Sequence, residues 1–517
     1  MNKQMKWGIV LQYLQMAVSI VIQLIYTPVM IRILGDNEYG IYNLVASIIS
    51  YLGLLSLGFG ASYIRFYSKY KAKNDEQGIR KLNGLFMTVF LIMGAIALCC
   101  GVVASLNAQI FFNSTYSTAD IKLAKILMMF LTINLTISFP ASVFISYITA
   151  HEKFVFQKLI NIGKTILSPL LCIIALFMGY GSIGMVIVTT GISLLIDVIN
   201  VVFCIKKLNM RFAFGKWEKG LFKEIAIFSV FIAINQIIDQ INWQTDKIIL
   251  GKMINGTAVA IYAVASTINT MYLNFSTAIS SVFTPQINKI ENECDEDEKH
   301  KRLNELFIKV GRIQFFVIML ILTGFIFFGK FFITKWAGVN YEKAYYIALW
   351  LMLPVTVPLI QNLGIEIQRA KNKHKFRSYV YLTMAIVNVF ISIWFCHIWG
   401  IVGVAIGTAL ALIICNGIIM NIYYHKVTKL NIVKFWGSIL KILPALILPC
   451  CLGVSIMIFY NIKSMVGFGI LVIAYTLIYL VSMYLIGLNK EEKSWVKGLF
   501  IKLKKQTKEK DCDTNNG

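Results

Sequence analysis

The sequence predicts an all-α integral membrane protein of about fourteen transmembrane helices, built as two six-helix bundles with two extra helices at the C-terminal end. Three observations predict this. Apolar residues make up 58% of the chain and charged residues 14%, with a mean hydropathy of +0.71, a balance that leaves too little polar surface for a solvated globule. Apolar runs of about twenty residues, the length that crosses a hydrocarbon core, recur from one end to the other. Finally, the excess behind the formal net charge of +24 lies mainly in alternate short segments between those runs. That is the signature of cytosolic loops, not of a nucleic-acid surface, and no nucleic-acid partner is expected.

The first run, 7–31, follows Lys3 and Lys6. It is too long for a signal-peptide core and has no small-residue cleavage site, so it counts as a span. Runs at 41–63, 84–106, 126–148, 158–178 and 183–205 come next, with basic inner segments at 69–81 and 206–223 and a nearly bare outer loop at 179–182. A second series follows at 225–245, 258–282, 311–333, 344–364, 378–398 and 401–423. Its inner segments, 289–312 and 369–377, are again basic, and its outer loop 397–400 is nearly bare. Runs at 439–459 and 465–487 precede a basic cytosolic tail, 489–517. With each cation assigned to its nearer side, roughly 40 of the 49 Lys and Arg fall inside. The expectation is a multi-pass protein of the cell (plasma or inner) membrane with both termini in the cytosol.

The two series resemble each other. Residues 41–48 (Ile-Tyr-Asn-Leu-Val-Ala-Ser-Ile) align with 261–268 (Ile-Tyr-Ala-Val-Ala-Ser-Thr-Ile); 181–184 align with 400–403, and Lys207-Leu208-Asn209 with Lys429-Leu430-Asn431. Offsets near 220 in one order point to duplication. Residues 1–208 and 224–430 are therefore expected to be two six-span bundles, with 431–488 as two additional helices. Six spans being even, both copies insert the same way round, and the pseudo-two-fold axis runs along the membrane normal. Two such bundles around a cleft are the architecture of alternating access.

Other motifs imply less. Cys99, Cys100, Cys172, Cys204, Cys396, Cys415, Cys450 and Cys451 lie in or beside apolar runs, and no CxxC occurs, so they read as small core residues. His151, His300, His374, His397 and His425 are scattered without ligand spacing, so no metal and no cofactor is expected. Residues 324–330 have Walker A spacing, but Phe331 replaces the magnesium-binding hydroxyl and the run lies in an apolar span; nucleotide binding is rejected. Gly403 and Gly407 form a GxxxG that suits close helix packing. The prolines in the spans suit either hinges or packing.

Ionisable groups inside a bilayer are costly and mark function or a partner. The candidates for a substrate-binding cleft are Arg32, Arg65, Lys164, Asp239, Asp246, Lys247, Glu366 and Arg369. For Arg65, Lys164 and Arg369, as for Asp197, snorkelling to the headgroups is an equal reading. Asp239 sits deeper, in a run that also carries Gln236, Gln240, Asn242 and Gln244, and so polar a stretch cannot face lipid cheaply.

Residues 27–35 (Thr-Pro-Val-Met-Ile-Arg-Ile-Leu-Gly) with Tyr39-Gly40-Ile41-Tyr42, Leu57-Gly58 with Arg65-Phe66-Tyr67, and 245–251 with Ile261-Tyr262 carry a resemblance. The chain resembles the polysaccharide repeat-unit (Wzx-like) flippases of the multidrug/oligosaccharidyl-lipid/polysaccharide exporter superfamily over nearly its whole length. The resemblance implies no enzyme but a transporter that moves undecaprenyl-diphosphate-linked oligosaccharide from the cytosolic to the outer leaflet, for capsule, exopolysaccharide or similar glycan. The implied partners are the lipid bilayer, that polyprenyl-diphosphate-linked oligosaccharide, H+ or Na+ as coupling ion, and other glycan-assembly proteins. Arg32, Arg65, Lys164 and Lys247 are then the cations for the diphosphate, and Tyr26, Tyr63 and Trp243 are aromatics for sugar stacking. A lipid II flippase is an alternative, but Tyr26-Thr27 stand where those proteins usually carry an Arg-Asp pair. A cation-coupled multidrug exporter is another, but no carboxylate lies within 7–31. A membrane glycan polymerase or ligase fits less well, since the outer loops are short.

Overall fold

A computed structural model describes residues 3–494 except 57, 216–218, 294, 372, 374 and 461–463. His374 and most of the expected basic tail, 495–517, lie outside the described residues. In chain order the helices are α1 (Lys3–Leu52), α2 (Phe59–Ala72), α3 (Glu76–Leu106), α4 (Thr118–Ala150), α5 (Phe154–Phe177), α6 (Gly181–Lys206), α7 (Lys219–Met253), α8 (Gly256–Ser281), α9 (Thr284–Glu293), α10 (Glu296–Trp336), α11 (Lys343–Ile360), α12 (Asn362–Ala370), α13 (Lys375–Leu412), α14 (Met420–Lys426), α15 (Ile432–Leu440), α16 (Pro444–Phe459) and α17 (Met465–Ser482). No strand occurs among the described residues. This is the outcome bilayer physics favours, because a helix satisfies its own backbone.

Among the described residues ten helical stretches are long and apolar enough to cross a membrane, or eleven with the bent pair α15–α16. Two of the ten, Val10–Ala72 and Lys375–Lys426, each hold two of the apolar runs. The 26 residues of α8 carry another run, diluted by Ser, Thr and Asn. The fourteen runs are thus accommodated in an all-helical multi-pass protein.

The expected outer turns at the ends of the first and eleventh runs shrink to single residues. The helices on either side are joined at Gly35 (φ 75°, ψ 170°) and Gly400 (φ 58°, ψ −132°), positive-φ conformations that a side chain disfavours. The second run departs further from expectation, since α1 stops at Leu52 and a 3-10 turn, Gly53–Ser56, intervenes before α2. The run at 401–423 includes a π-helical stretch, Ile413–Ile419. Residues 324–330 are one continuous part of α10, so the Walker-like spacing makes no phosphate loop.

The structure comprises two compact units. The first holds Met1–Asn274, Ile333–Val355 and His374–Gly417. In it α3 lies along α4, α5 along α1 and α6, and α7 along α13. Its aromatic core gathers Phe59, Tyr63, Phe66, Phe86, Phe90 and Phe139, whereas Leu167, Leu170, Leu171 and Ile174 on α5 are exposed, as lipid-facing side chains are. The turn after Gly35 is held by three consecutive side chains. The Asp36 carboxylate accepts from Asn340 at 3.0 Å, Asn37 donates to Asp120 at 2.9 Å, and Glu38 accepts from the Ser182 backbone N–H at 2.7 Å. Glu38 thereby places an anion at the N-terminus of α6, where the helix dipole favours it. The GxxxG reading is met in α13: a Cβ at Gly403 would lie 2.0 Å from the Phe395 carbonyl oxygen, so the arms on either side of Gly400 touch through backbone.

The second unit holds Phe275–Phe332, Thr356–Lys373 and Ile418–Gly517. Arg312 of α10 is buried there against Glu492, in a bidentate pair with 2.6 and 2.8 Å contacts. Its remaining N–H groups reach the carbonyls of Ser438 and Gly487 at 2.9 Å. A buried guanidinium with its partner and hydrogen bonds all in place is the arrangement in which such a pair is tolerated.

Local backbone geometry repeats at a separation of 220 residues. After α4, the N–H groups of His151 and Lys153 bond to Tyr147 and Ile148; after α12, those of Lys371 and Lys373 bond to Ile367 and Gln368. Lys207 and Leu208 both return to Phe203, as Val427 and Thr428 return to Tyr423. Positive φ recurs likewise at Asn209 (51°) and Lys429 (57°).

Candidate functional site

Gln236, Gln240 and Gln244 recur every four residues on α7 and so share one face. That face meets α1. Gln240 donates to the Ser50 carbonyl at 2.8 Å, and Ser47 donates to the Gln244 side-chain oxygen at 3.0 Å. Tyr51 donates to the Gln240 carbonyl at 3.2 Å and shares a short hydrogen bond with Thr245. Gln236 Oε1 is buried without a partner. The polar stretch therefore avoids lipid by pairing inside the first unit, as the cost of unsatisfied groups in hydrocarbon requires.

Asp246 is the most enclosed ionisable candidate in that unit, 2% exposed. Its Oδ2 accepts the phenol of Tyr262 on α8 in a short hydrogen bond and the hydroxyl of Thr408 on α13 at 2.9 Å. Thr408 is also bonded to Asn388, at 3.2 and 3.3 Å, and Asn388 accepts from Ser392 at 3.0 Å. Three helices thus meet at one carboxylate, which accepts from two hydroxyls, with the Asn388 amide behind Thr408. Lys247, half-buried next to it, turns back to Gln244 Oε1 at 3.3 Å.

The other candidates are dispersed. Arg32 is exposed and donates to the Lys335 carbonyl at 3.4 Å. Arg65 is exposed with its guanidinium 4.4 Å from the ring centre of Phe228, a cation–π contact. Lys164 is exposed and within electrostatic reach of Asp197. Asp239 is exposed on α7 and acts electrostatically on Tyr381 of α13, whose ring Arg377 covers at 4.6 Å. In the second unit Glu366 and Arg369 bond to each other at 2.8 Å, one turn apart on α12. Of the eight, then, consecutive Asp246 and Lys247 lie together, and Glu366 and Arg369 pair. Tyr262, Thr408, Asn388, Ser392 and Arg377 escaped sequence reasoning. A signal existed for Tyr262 alone, which lies in the duplicated segment 261–268.

Among the described residues no group of three or more His, Cys, Asp or Glu is placed to hold a metal ion.

The described residues thus form a helical bundle with a polar interior, on helices long and apolar enough to cross a bilayer. Solved structures agree. An inward-facing multidrug resistance MATE family transporter of the MOP superfamily superimposes with a TM-score of 0.61 at 13% identity, covering 78% of this chain and 96% of that one. A Vibrio cholerae MATE transporter gives 0.56 at 12% identity (83% and 97% covered), and a MOP superfamily transporter from Pyrococcus furiosus 0.54 at 15% (80% and 93%). A Shigella flexneri protein assigned to O-antigen transport is 21% identical over 394 residues, 74% of this chain and 89% of that protein. Residues 8–291, more than half of the chain, match the polysaccharide biosynthesis protein family. The chain belongs to that family, and it shares its multi-pass helical fold with the transporters of those solved structures.

Proposed function

We propose that the protein is a flippase that carries undecaprenyl-diphosphate-linked oligosaccharide repeat units from the cytosolic to the outer leaflet of the plasma membrane, for assembly of a cell-surface glycan. The observation that carries this reading is the inward polar stretch of α7, with Gln240 and Gln244 engaged by α1 and Asp246 by α8 and α13, in a chain of the polysaccharide biosynthesis family. A string of sugar hydroxyls needs amide and hydroxyl partners, while the polyprenyl tail stays in lipid. Arg32, Arg65, Lys164 and Lys247 are the cations for the diphosphate. In the second unit Glu366 and Arg369, paired with each other, are the candidates.

The cycle is alternating access, the six-span copies 1–208 and 224–430 rocking about the cleft with 431–488 attached. Both termini are cytosolic. Asp246 binds the coupling ion, H+ or Na+. Protonation or cation binding at its carboxylate changes what Tyr262 and Thr408 can donate to, and so biases the packing of α7 against α8 and α13; an ion that binds one arrangement better shifts the population toward it.

Proteoliposomes containing only this protein test the reading. A fluorescent lipid-linked oligosaccharide, scored by its exposure to a glycan-cleaving enzyme outside the vesicles, should equilibrate between leaflets faster than in protein-free vesicles, and faster still under an imposed ion gradient. Equal rates with and without the protein sink it.

A further inference from the structure

On the side of the basic loops, the first unit contains a cavity of about 580 Å³ at the ends of α2, α3 and α4 and the segment that follows α6. Its chemistry comes from Tyr67, Glu76, Arg80, Tyr147, His151 and Arg211. Nothing in the transport cycle described above uses it.

The wall formed by 208–213 is fixed. Asn83, fully buried, accepts from Tyr63 at 2.5 Å and donates to the Arg211 carbonyl at 2.8 Å. The Ala213 N–H bonds to the Arg80 carbonyl at 2.9 Å, and Tyr147 donates to the Leu208 carbonyl at 3.4 Å. A Cβ on Gly84 would lie 2.2 Å from the Ala213 carbonyl oxygen, so the segment lies directly against α3. The segment is thus held through its backbone at Leu208, Arg211 and Ala213, which leaves the Arg211 side chain unused by these bonds. Its guanidinium has no partner among the described residues, and it lines the cavity from a rigid mount.

Also lining the cavity, Arg80 reaches Glu76 at 3.4 Å, an exposed pair with little energy of its own. Tyr67 donates to His151 Nε2 at 2.9 Å, and His151 Nδ1 lies 2.9 Å from the Tyr147 carbonyl, which fixes the neutral tautomer with the proton on Nδ1. Lys71 and Lys153 act on the same imidazole. Among the lining residues Arg80 and Arg211 stand against Glu76, so the local balance is positive. The chain has eight arginines and 41 lysines; lysine supplies most of the inner charge, yet the cations lining this cavity are both arginines, the side chain whose planar fork matches a phosphate. A carboxylate and phenols beside them are acceptors for hydroxyls, and the volume is that of a small-molecule site.

We infer that this cavity binds a phosphate ester flanked by hydroxyl groups, held by Arg211 and Arg80 with Glu76 and Tyr67 reading the hydroxyls. The chemistry is shared by a soluble sugar phosphate and by the headgroup of a phosphatidylglycerol-like lipid. Full-length protein in phosphatidylcholine nanodiscs, titrated with radiolabelled glucose 1-phosphate, tests it. Saturable binding is expected, weakened about tenfold or more by Arg211→Gln and by Arg80→Gln and unchanged by Lys289→Gln. Thermal melting of each variant like that of the native protein shows that the fold is kept. In nanodiscs that include phosphatidylglycerol, competition with glucose 1-phosphate assigns the site to lipid, and undiminished binding assigns it to the soluble ester. Absence of saturable binding, or binding that Arg211→Gln leaves intact, overturns the inference.

Discussion

Asp246 is a single carboxylate on which side chains from two other helices converge, and its two hydroxyl partners both donate to the same oxygen. Asp246→Asn keeps the shape but removes the ionisable oxygen, and flipping should fall at least tenfold and lose its response to an ion gradient. Asp246→Ala should in addition lower thermal stability by about 1–3 kcal/mol, because two buried hydroxyls lose their acceptor. His151 offers a separate check outside the spans. Burial first, and then Lys71 and Lys153, hold its imidazole below the usual 6.5. The unfolded chain therefore takes up a proton more readily than the folded one, and stability declines as pH falls below 6.5 toward the lower folded value. Between about pH 7 and about pH 5.5 the melting temperature in detergent should drop more for the native protein than for His151→Gln. At this scale the sequence was partly readable. Asp246 and Lys247 stand out as charges in an apolar run, but Thr408, 162 residues away, reaches the carboxylate only through tertiary packing, which no local pattern encodes.

At the level of the helices, hydrophobic length was the strong signal, and each apolar run became helical. The boundaries were weaker. A loop was expected wherever polar residues interrupt the runs, as at 32–40, yet helix persists there on both sides of one glycine. The reason is that Asp36, Asn37 and Glu38 find partners on neighbouring segments and do not need water. Conversely, the break at Gly53–Ser56 falls inside an apolar run with no polar residue but serine to announce it. The polar face of α7 was legible because amides spaced four apart can only be afforded when that face is turned inward. Gly403→Val tests the tight hairpin of α13. Its side chain would collide with the Phe395 carbonyl, and overpacking of about 1–3 kcal/mol or more should appear as reduced membrane accumulation and a lower melting temperature. Gly437→Ala, with open space at the Cβ, should be silent.

Across the whole molecule, turn geometry recurs more plainly than residue identity does. Hydrogen bonds after α4 and α12, and after α6 and α14, repeat at 220 residues, although His151 and Lys371 stand at that separation with different side chains. The three short matches in the sequence share this spacing, and a comparison of side chains does not register the backbone bonds. The bond between Arg312 and Glu492 was not legible at all, because the two are 180 residues apart and the arginine looks like one more inner-loop cation. Removing one partner alone, as in Arg312→Met, should cost about 3–5 kcal/mol; replacing both with apolar residues should restore much of that, and a double-mutant cycle on melting temperature measures the difference.

The one-residue joints at Gly35 and Gly400 also decide what can be reached there. A protease finds no slack chain to cut at either place, and an epitope inserted at either would have to pry apart two helices that share a backbone path. Where the chain turns in so little room, a solute meets helix ends and their dipoles, so movement at those points must come from whole helices tilting.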